Sequence, residues 1–174
     1  MERYFNTKWI VWTHELDDQN WGIDSYTRYY EIETVKDFWS IMNNLKALKL
    51  YKKHIYLMKD GIEPTWEDPQ NINGGTCTLK IDLKQSISVI EDLACHVFTE
   101  NLLINSDANI DRYDIENYNH DINGISFSPK VTNRNSALII KIWNRTFDIN
   151  TSRLFKQEIA NQYSDISILY RKNK

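Results

Sequence analysis

Three features of this chain predict an α+β fold. Period-two apolar segments and period-3.6 apolar segments both occur, in the order strands, helix, strands, helix, hairpin, helix, strand. Clusters of Gly, Pro, Asn and Asp separate them. The length of 174 residues suits one domain, 1–174, built round one core, and a hydrophobic share of 41% with 26% charged is ordinary for a globular protein.

Tyr4 to Leu16 alternates, with Trp9, Val11 and Thr13 on one side and Ile10 and Trp12 on the other. Both sides are partly apolar, so this reads as a strand covered at least in part on both faces, with Trp9 and Trp12 in the core. His14 to Asp24 is a polar loop that holds Trp21 beside Gly22. A Trp in such a loop is either incidental or a contact for a ligand or partner. Ser25 to Glu33 (SYTRYYEIE) is a second strand, rich in Tyr and Thr. Thr34 then caps a helix, with Asp37 in a capping-box position. Phe38, Ile41, Met42 and Leu45 are expected to face the sheet, while Val35 and Trp39, four apart, share another stripe. Residues 46–53 form a basic connector with no assigned role. His54 to Met58 is a short strand, and His54, without a metal partner at useful spacing, reads as structural or surface.

The most informative stretch is Lys59 to Gly75, KDGIEPTWEDPQNINGG. Gly61 supplies turn freedom, Pro64 holds Glu63 extended, and Pro69 stops the segment again. Gly74-Gly75 lead into the strand Thr76 to Leu83. Trp66 therefore sits on a constrained loop among Asp60, Glu63, Glu67 and Asp68. Two readings stand for it: an indole folded onto the core, or an aromatic platform beside the Glu67 carboxylate. The second suits a flat, cationic ligand rich in N–H donors. Positive charge on a ring strengthens its stack on an indole, and a carboxylate accepts two parallel N–H bonds from its edge. A 7-methylguanine base has both properties.

Ile87 to Leu103 has helical spacing, with Ile90, Leu93, Ala94, Val97 and Phe98 as the apolar set and Glu91 and Asp92 on the wet side. His96 reads as a surface or satisfied histidine. Residues 101–124 are mostly polar and read as a long loop. Ile125 to Lys130 and Ala137 to Asn144 form a hairpin round the turn-like VTNRNS, and Trp143 ends its second strand. Asn150 and Thr151 start a last helix with Leu154, Phe155, Ile159 and Ala160 as its buried stripe. Ile166 to Tyr170 is the closing strand.

Composition narrows the function classes. A formal net charge of −3 argues against broad, charge-driven nucleic-acid binding but leaves room for a local basic patch. Cys77 and Cys95 have no metal-type spacing and read as reduced thiols of a cytoplasmic protein. No apolar run approaches membrane-spanning length, and the first residues read as lacking a secretory leader. There is no nucleophile–base pair, phosphate loop or metal cluster, so no enzyme activity, metal site or cofactor is expected.

GIEPTWED followed by NGG resembles the cap-binding loop of the translation initiation factor 4E family, which grips the 5′ cap of messenger RNA. KWIVW (Lys8 to Trp12) resembles the family's first strand, and Trp21 in DDQNWG stands where the family carries its other cap-stacking Trp. TVKDFWSIMNNL (Thr34 to Leu45) resembles its first helix, and IKIWNR (Ile140 to Arg145) its late strand ending in a Trp. These blocks follow family order over most of the chain. The resemblance implies a curved antiparallel β-sheet with three helices on its convex face and a cap slot on the concave side. It implies that Trp21 and Trp66 sandwich the methylated guanine, that Glu67 accepts from its N1 and N2 donors, and that Trp143 lies near the 7-methyl group. Lys130 and Arg134 are the residues expected to hold phosphates. Val35 and Trp39 are implied to dock a short helix of a scaffold or regulatory protein, with Ile90 and Ala94 lending apolar contacts; core packing is the alternative for all four.

The chain departs from the family pattern in places. The family's second phosphate lysine aligns with Ile139. Thr76 and Cys77 stand where many members have Arg and Trp after the double Gly, and Lys130, Arg134 or Lys141 are candidates to compensate. The family's N-terminal arm and last loop have no counterpart here, so contacts made there are expected to be lost or replaced. Three functions follow: an initiation factor that binds the cap and recruits a scaffold, a cap-binding translational repressor, or a protein-interaction module that has lost cap binding.

Overall fold

The computed structural model describes residues 2–45, 52–104, 117–131 and 136–173. Seven strands, β1 (Tyr4–Glu15), β2 (Thr27–Thr34), β3 (Lys53–Lys59), β4 (Gly75–Asp82), β5 (Ile122–Val131), β6 (Ser136–Asn144) and β7 (Ile168–Lys172), form one sheet in the order β2-β1-β3-β5-β6-β4-β7. Every neighbouring pair is antiparallel. Among the described residues three helices, α1 (Val35–Asn43), α2 (Ser86–Phe98) and α3 (Gln157–Gln162), accompany it. The fold is the α+β class expected, a curved antiparallel sheet with helices on its convex face.

Alternation along the central strands decides what each face carries. Val11, Ile55, Leu57, Ile125, Phe127, Ile140 and Ile142 point one way and merge with Phe38, Ile41 and Met42 of α1 and Ile90, Leu93, Ala94 and Val97 of α2 into one buried cluster. On the opposite face Tyr56, Met58 and Trp143 pack together with Trp12 and Tyr26 in a smaller aromatic cluster. Trp9 is core as expected; Trp12 is only half-buried because it belongs to this second cluster.

Local signals place α1. The Thr34 hydroxyl accepts from Asp37 N–H while the Asp37 carboxylate accepts from Thr34 N–H, a complete capping box. Hydrogen bonds from the Thr34 hydroxyl and backbone hold the Asp37 carboxyl below its ordinary pKa. α2 ends at Phe98, earlier than the Leu103 expected. Glu100 adopts a left-handed φ of 54°, and Asn101 N–H bonds back to the His96 carbonyl, which terminates the helix.

The last helix also differs. Asn150 caps only a single 3-10 turn, Thr151–Arg153. Phe155 then bridges to Leu103, and Lys156 N–H bonds to the Leu102 carbonyl, so α3 begins only at Gln157. The expected loop 101–124 is partly ordered structure: Asn119 is buried, accepts from the Leu102 and Leu103 N–H groups and donates to the Leu103 carbonyl. Residues 105–116 lie outside the described residues, as do 46–51 of the basic connector.

Candidate functional site: an aromatic slot on the concave face

The aromatic face of the sheet opens into a cavity of about 610 Å³. Period-two alternation builds its floor. Cross-strand pairing sets His14 opposite His54, Tyr56 opposite Ser126, and Ser126 opposite Lys141. Ile139, Lys141 and Trp143, two residues apart on β6, all face the cavity. Trp143 is 2% exposed and its indole N–H donates to Ser126 Oγ at 2.9 Å, which satisfies the one polar atom that burial would otherwise strand.

Two loops supply the walls. Residues 16–26 carry Trp21, 50% exposed, and residues 60–74 carry Trp66, 42% exposed. Exposure of two large indoles facing one cavity is costly unless something covers them. Pro64, Thr65, Trp66 and Glu67 of one loop and Trp21 and Tyr26 of the other line the cavity. The core reading of Trp66 is thereby excluded. Glu67 is exposed, and among the described residues its carboxylate makes no ion pair or hydrogen bond. Trp66 N–H likewise has no acceptor among the described residues.

The Trp66 loop is held from below. Asp68 accepts from Glu63 N–H at 2.9 Å and Gln70 N–H at 2.7 Å. The fully buried Asn71 donates to the Glu63 and Thr65 carbonyls at 2.9 and 2.8 Å and accepts from Asn123 at 2.9 Å. Gly61 sits at φ +80°, a turn position that favours glycine. At Gly74 a side chain would meet the Asn144 carbonyl at 1.9 Å, and at Gly75 the Tyr170 hydroxyl at 2.3 Å, so the double glycine answers close packing.

Trp21 rests on His14. The rings stack at 4.4 Å between centroids and 12° between planes, and His14 Nε2–H donates to the Asn20 carbonyl at 2.7 Å. His54 lies 5.4 Å from the Trp21 ring and shares a hydrogen bond of 2.9 Å with Ser128 Oγ. Burial, with smaller contributions from His14 and Lys141, pushes the His54 pKa down to about 4, so this imidazole is neutral at neutral pH. The structural-or-surface reading of His54 missed that it lines the slot; its period-two relation to Tyr56 carried that signal.

Lys130 is exposed at the cavity edge. Arg134 lies outside the described residues. On the helical side, Trp39 is 41% exposed and shares a depression with Val35, Lys36, Arg3 and Glu2. Ile90 and Ala94, expected as apolar partner contacts, are each 0% exposed. Both belong to the α2 stripe that faces the sheet, so their side chains are core and no partner reaches them.

Among the described residues there is no group of His, Cys, Asp and Glu that could hold a metal ion, and no helix is long and apolar enough to cross a membrane.

A family model described as eukaryotic initiation factor 4E matches residues 4–173. Eukaryotic translation initiation factor 4E-3 of Caenorhabditis elegans is 30% identical over 108 residues, 61% of this chain and 43% of that protein. Eukaryotic translation initiation factor isoform 4E of Capsicum annuum is 35% identical over 92 residues, 48% of this chain and 44% of that protein. The matched stretch thus spans less than half the length of these curated relatives. Among solved structures, the complex of C. elegans eIF4E-3 with the 4E-binding protein Mextli and cap analog superposes with a TM-score of 0.74 at 21% identity, covering 99% of this chain and 93% of that one. Ascaris suum eIF4E-3 with m7G cap gives 0.72 at 20% identity, covering 100% and 93%. At these identities the structural likeness establishes the shared fold.

Proposed function

The chain belongs to the eukaryotic initiation factor 4E family, and from that premise we propose that residues 1–174 act as one cytoplasmic, non-catalytic domain that binds the 7-methylguanosine cap of messenger RNA. The observation that carries this is convergence: two exposed indoles on separate loops, and a carboxylate with no partner among the described residues, open into one cavity. In this reading Trp21 and Trp66 take the base between them. Glu67 accepts its N1 and N2 hydrogens, and Trp66 N–H donates to its exocyclic carbonyl oxygen. Trp143 closes the inner end near the 7-methyl group. Lys130, at the cavity edge, and Arg134 hold phosphates. The cap-bound relatives support this reading.

The helical side of the domain takes a scaffold or regulatory protein through a short helical motif, with Trp39 and Val35 as the anchor. The complex of a relative with a 4E-binding protein supports this arrangement. Trp is the residue type most often found to dominate such contacts.

Titration with 7-methyl-GTP and with GTP, followed by Trp fluorescence, tests the slot. Selective quenching by the methylated ligand is expected; a folded protein with no quenching by either would overturn the reading. Glu67→Ala should weaken binding by about 2–4 kcal/mol, since it removes two charge-assisted bonds. Unchanged affinity would remove Glu67 from the site.

A further inference from the structure

Lys141 lies on the slot floor, where a cation does not fit a pocket built for a cationic base; the other lining lysine, Lys130, stands exposed at the edge. Alternation on β6 puts it between Ile139 and Trp143, on the cavity floor. Its Nζ lies 5.4 Å from the centre of the Trp66 ring and 6.0 Å from that of Trp143. Among the described residues no carboxylate pairs with it. Burial alone pulls its pKa below the ordinary lysine value.

An ammonium at this distance over an indole is attracted by the negative face of the ring. That attraction is the same one that draws a methylated, positively charged purine to Trp66. The two cations would share one cavity of about 610 Å³. We propose that Lys141 is a resident cation of the slot: it competes with a charged base for Trp66 and narrows the preference for methylated over unmethylated guanine. Any base that stacks on Trp66 must displace the lysine head, which swings away on its flexible stem. A neutral guanine meets only that displacement. A methylated one meets like-charge repulsion as well, so selectivity falls along with affinity. His54 stays neutral and adds no third charge. Among the described lining residues Glu67 is the only acid. This inference rests on the cap-binding reading.

The test measures the affinities of wild-type protein, Lys141→Met and Lys141→Gln for 7-methyl-GTP and GTP. Phosphate contacts are common to both ligands and cancel in their ratio. Both uncharged variants are expected to raise the ratio of methylated to unmethylated affinity by roughly two- to fivefold, the range of a solvent-exposed cation–aromatic contact. An unchanged or lowered ratio overturns the proposal. If both ligands weaken by a common factor, Lys141 is a phosphate holder instead. A second control separates the two readings. If wild type binds neither ligand and Trp66→Ala changes nothing, the cap-binding reading itself fails and this proposal falls with it. If wild type binds selectively through Trp66 and only the ratio fails to move, the slot stands and the competing lysine does not.

Discussion

The two loops that flank the slot present the same side chain by different means. Trp66 stands on a loop tied down by buried, long-range hydrogen bonds. Asn71 joins the Glu63 and Thr65 carbonyls to Asn123 of β5, and Asn173, at the far end of the chain, donates to the Asn71 carbonyl at 2.8 Å. Trp21 stands on a loop that mostly bonds to itself. Asn20 N–H bonds to Asp18 Oδ1, Gly22 N–H to Asn20 Oδ1, and Ser25 Oγ to the Asn20 and Gly22 carbonyls. Its ties beyond the loop are the stack on His14, the His14–Asn20 bond, the Leu16 N–H bond to the Lys52 carbonyl, and ring contacts of Trp21 with His54 and of Tyr26 with Tyr56. One wall is therefore fixed by buried hydrogen bonds from distant parts of the fold, and the other by a local turn leaning mainly on neighbouring rings. A ligand gains most from the wall that needs no ordering on binding.

The largest effect should come from cutting the long-range tie. Asn71→Ala would strand the buried Thr65 carbonyl, the part-buried Glu63 carbonyl and one N–H of the buried Asn123 amide, whose other N–H still donates to Gln70. A cost of about 2–4 kcal/mol is expected, since each stranded polar group is expensive. Urea denaturation measures it. The matching change in the other loop, Asn20→Ala, breaks exposed local bonds and should cost under about 1 kcal/mol. Equal losses would erase the distinction between the walls.

A smaller effect is expected at His14. If its ring is what steadies Trp21, His14→Ala should weaken 7-methyl-GTP binding by about 1 kcal/mol, the size of an aromatic pair beyond simple burial. His14→Phe keeps the stack but gives up the bond to Asn20, so it should recover most of that loss. Failure of Phe to rescue would assign the role to the hydrogen bond. Calorimetric titration of the three proteins reads both outcomes, and thermal melts exclude a general loss of fold.

The walls also differ in how much the sequence disclosed. Trp66 was legible because its loop is written in strong local terms, Gly61, Pro64 and Pro69 round an indole and a carboxylate. The reason for Gly74-Gly75 was not, because it lies in the approach of the Asn144 carbonyl and the Tyr170 hydroxyl, distant in sequence. The α+β class and α1 were legible for the same local reason: alternation and the Thr34–Asp37 box are short-range signals. Where tertiary contacts override local pattern, the reading slipped. The last helix was expected to run on from Thr151, but the Phe155–Leu103 bridge interrupts it. Ile90 and Ala94 were assigned to a partner through family likeness, although their own spacing with Leu93 and Val97 already marked the sheet-facing stripe. His14 and His54 drew no functional reading as lone histidines; their positions two residues from Trp12 and Tyr56 put them on the slot face.

The smallest effect on the slot is expected from Trp39→Ala, because it alters the opposite side of the sheet. Trp39 packs edge-on against Phe38 at 5.3 Å and otherwise lies open beside Val35 and Arg3. Phe38 itself is buried and keeps its contacts with Phe5 and Phe98 when the indole is removed. Stability should therefore change by under about 1 kcal/mol. Sites this well separated act independently, so affinity for 7-methyl-GTP should hold within about 0.5 kcal/mol. Affinity for a short amphipathic helical peptide of a scaffold protein should drop by about 2 kcal/mol or more if Trp39 is the anchor. A paired measurement decides it: unchanged cap affinity with lost peptide binding makes the two faces separate devices on one sheet. Loss of both in a protein that still melts cooperatively would mean instead that α1 transmits to the slot. Its route would be the core cluster to which Phe38 and Val11 both belong, since His14 continues the Val11 strand into the Trp21 wall.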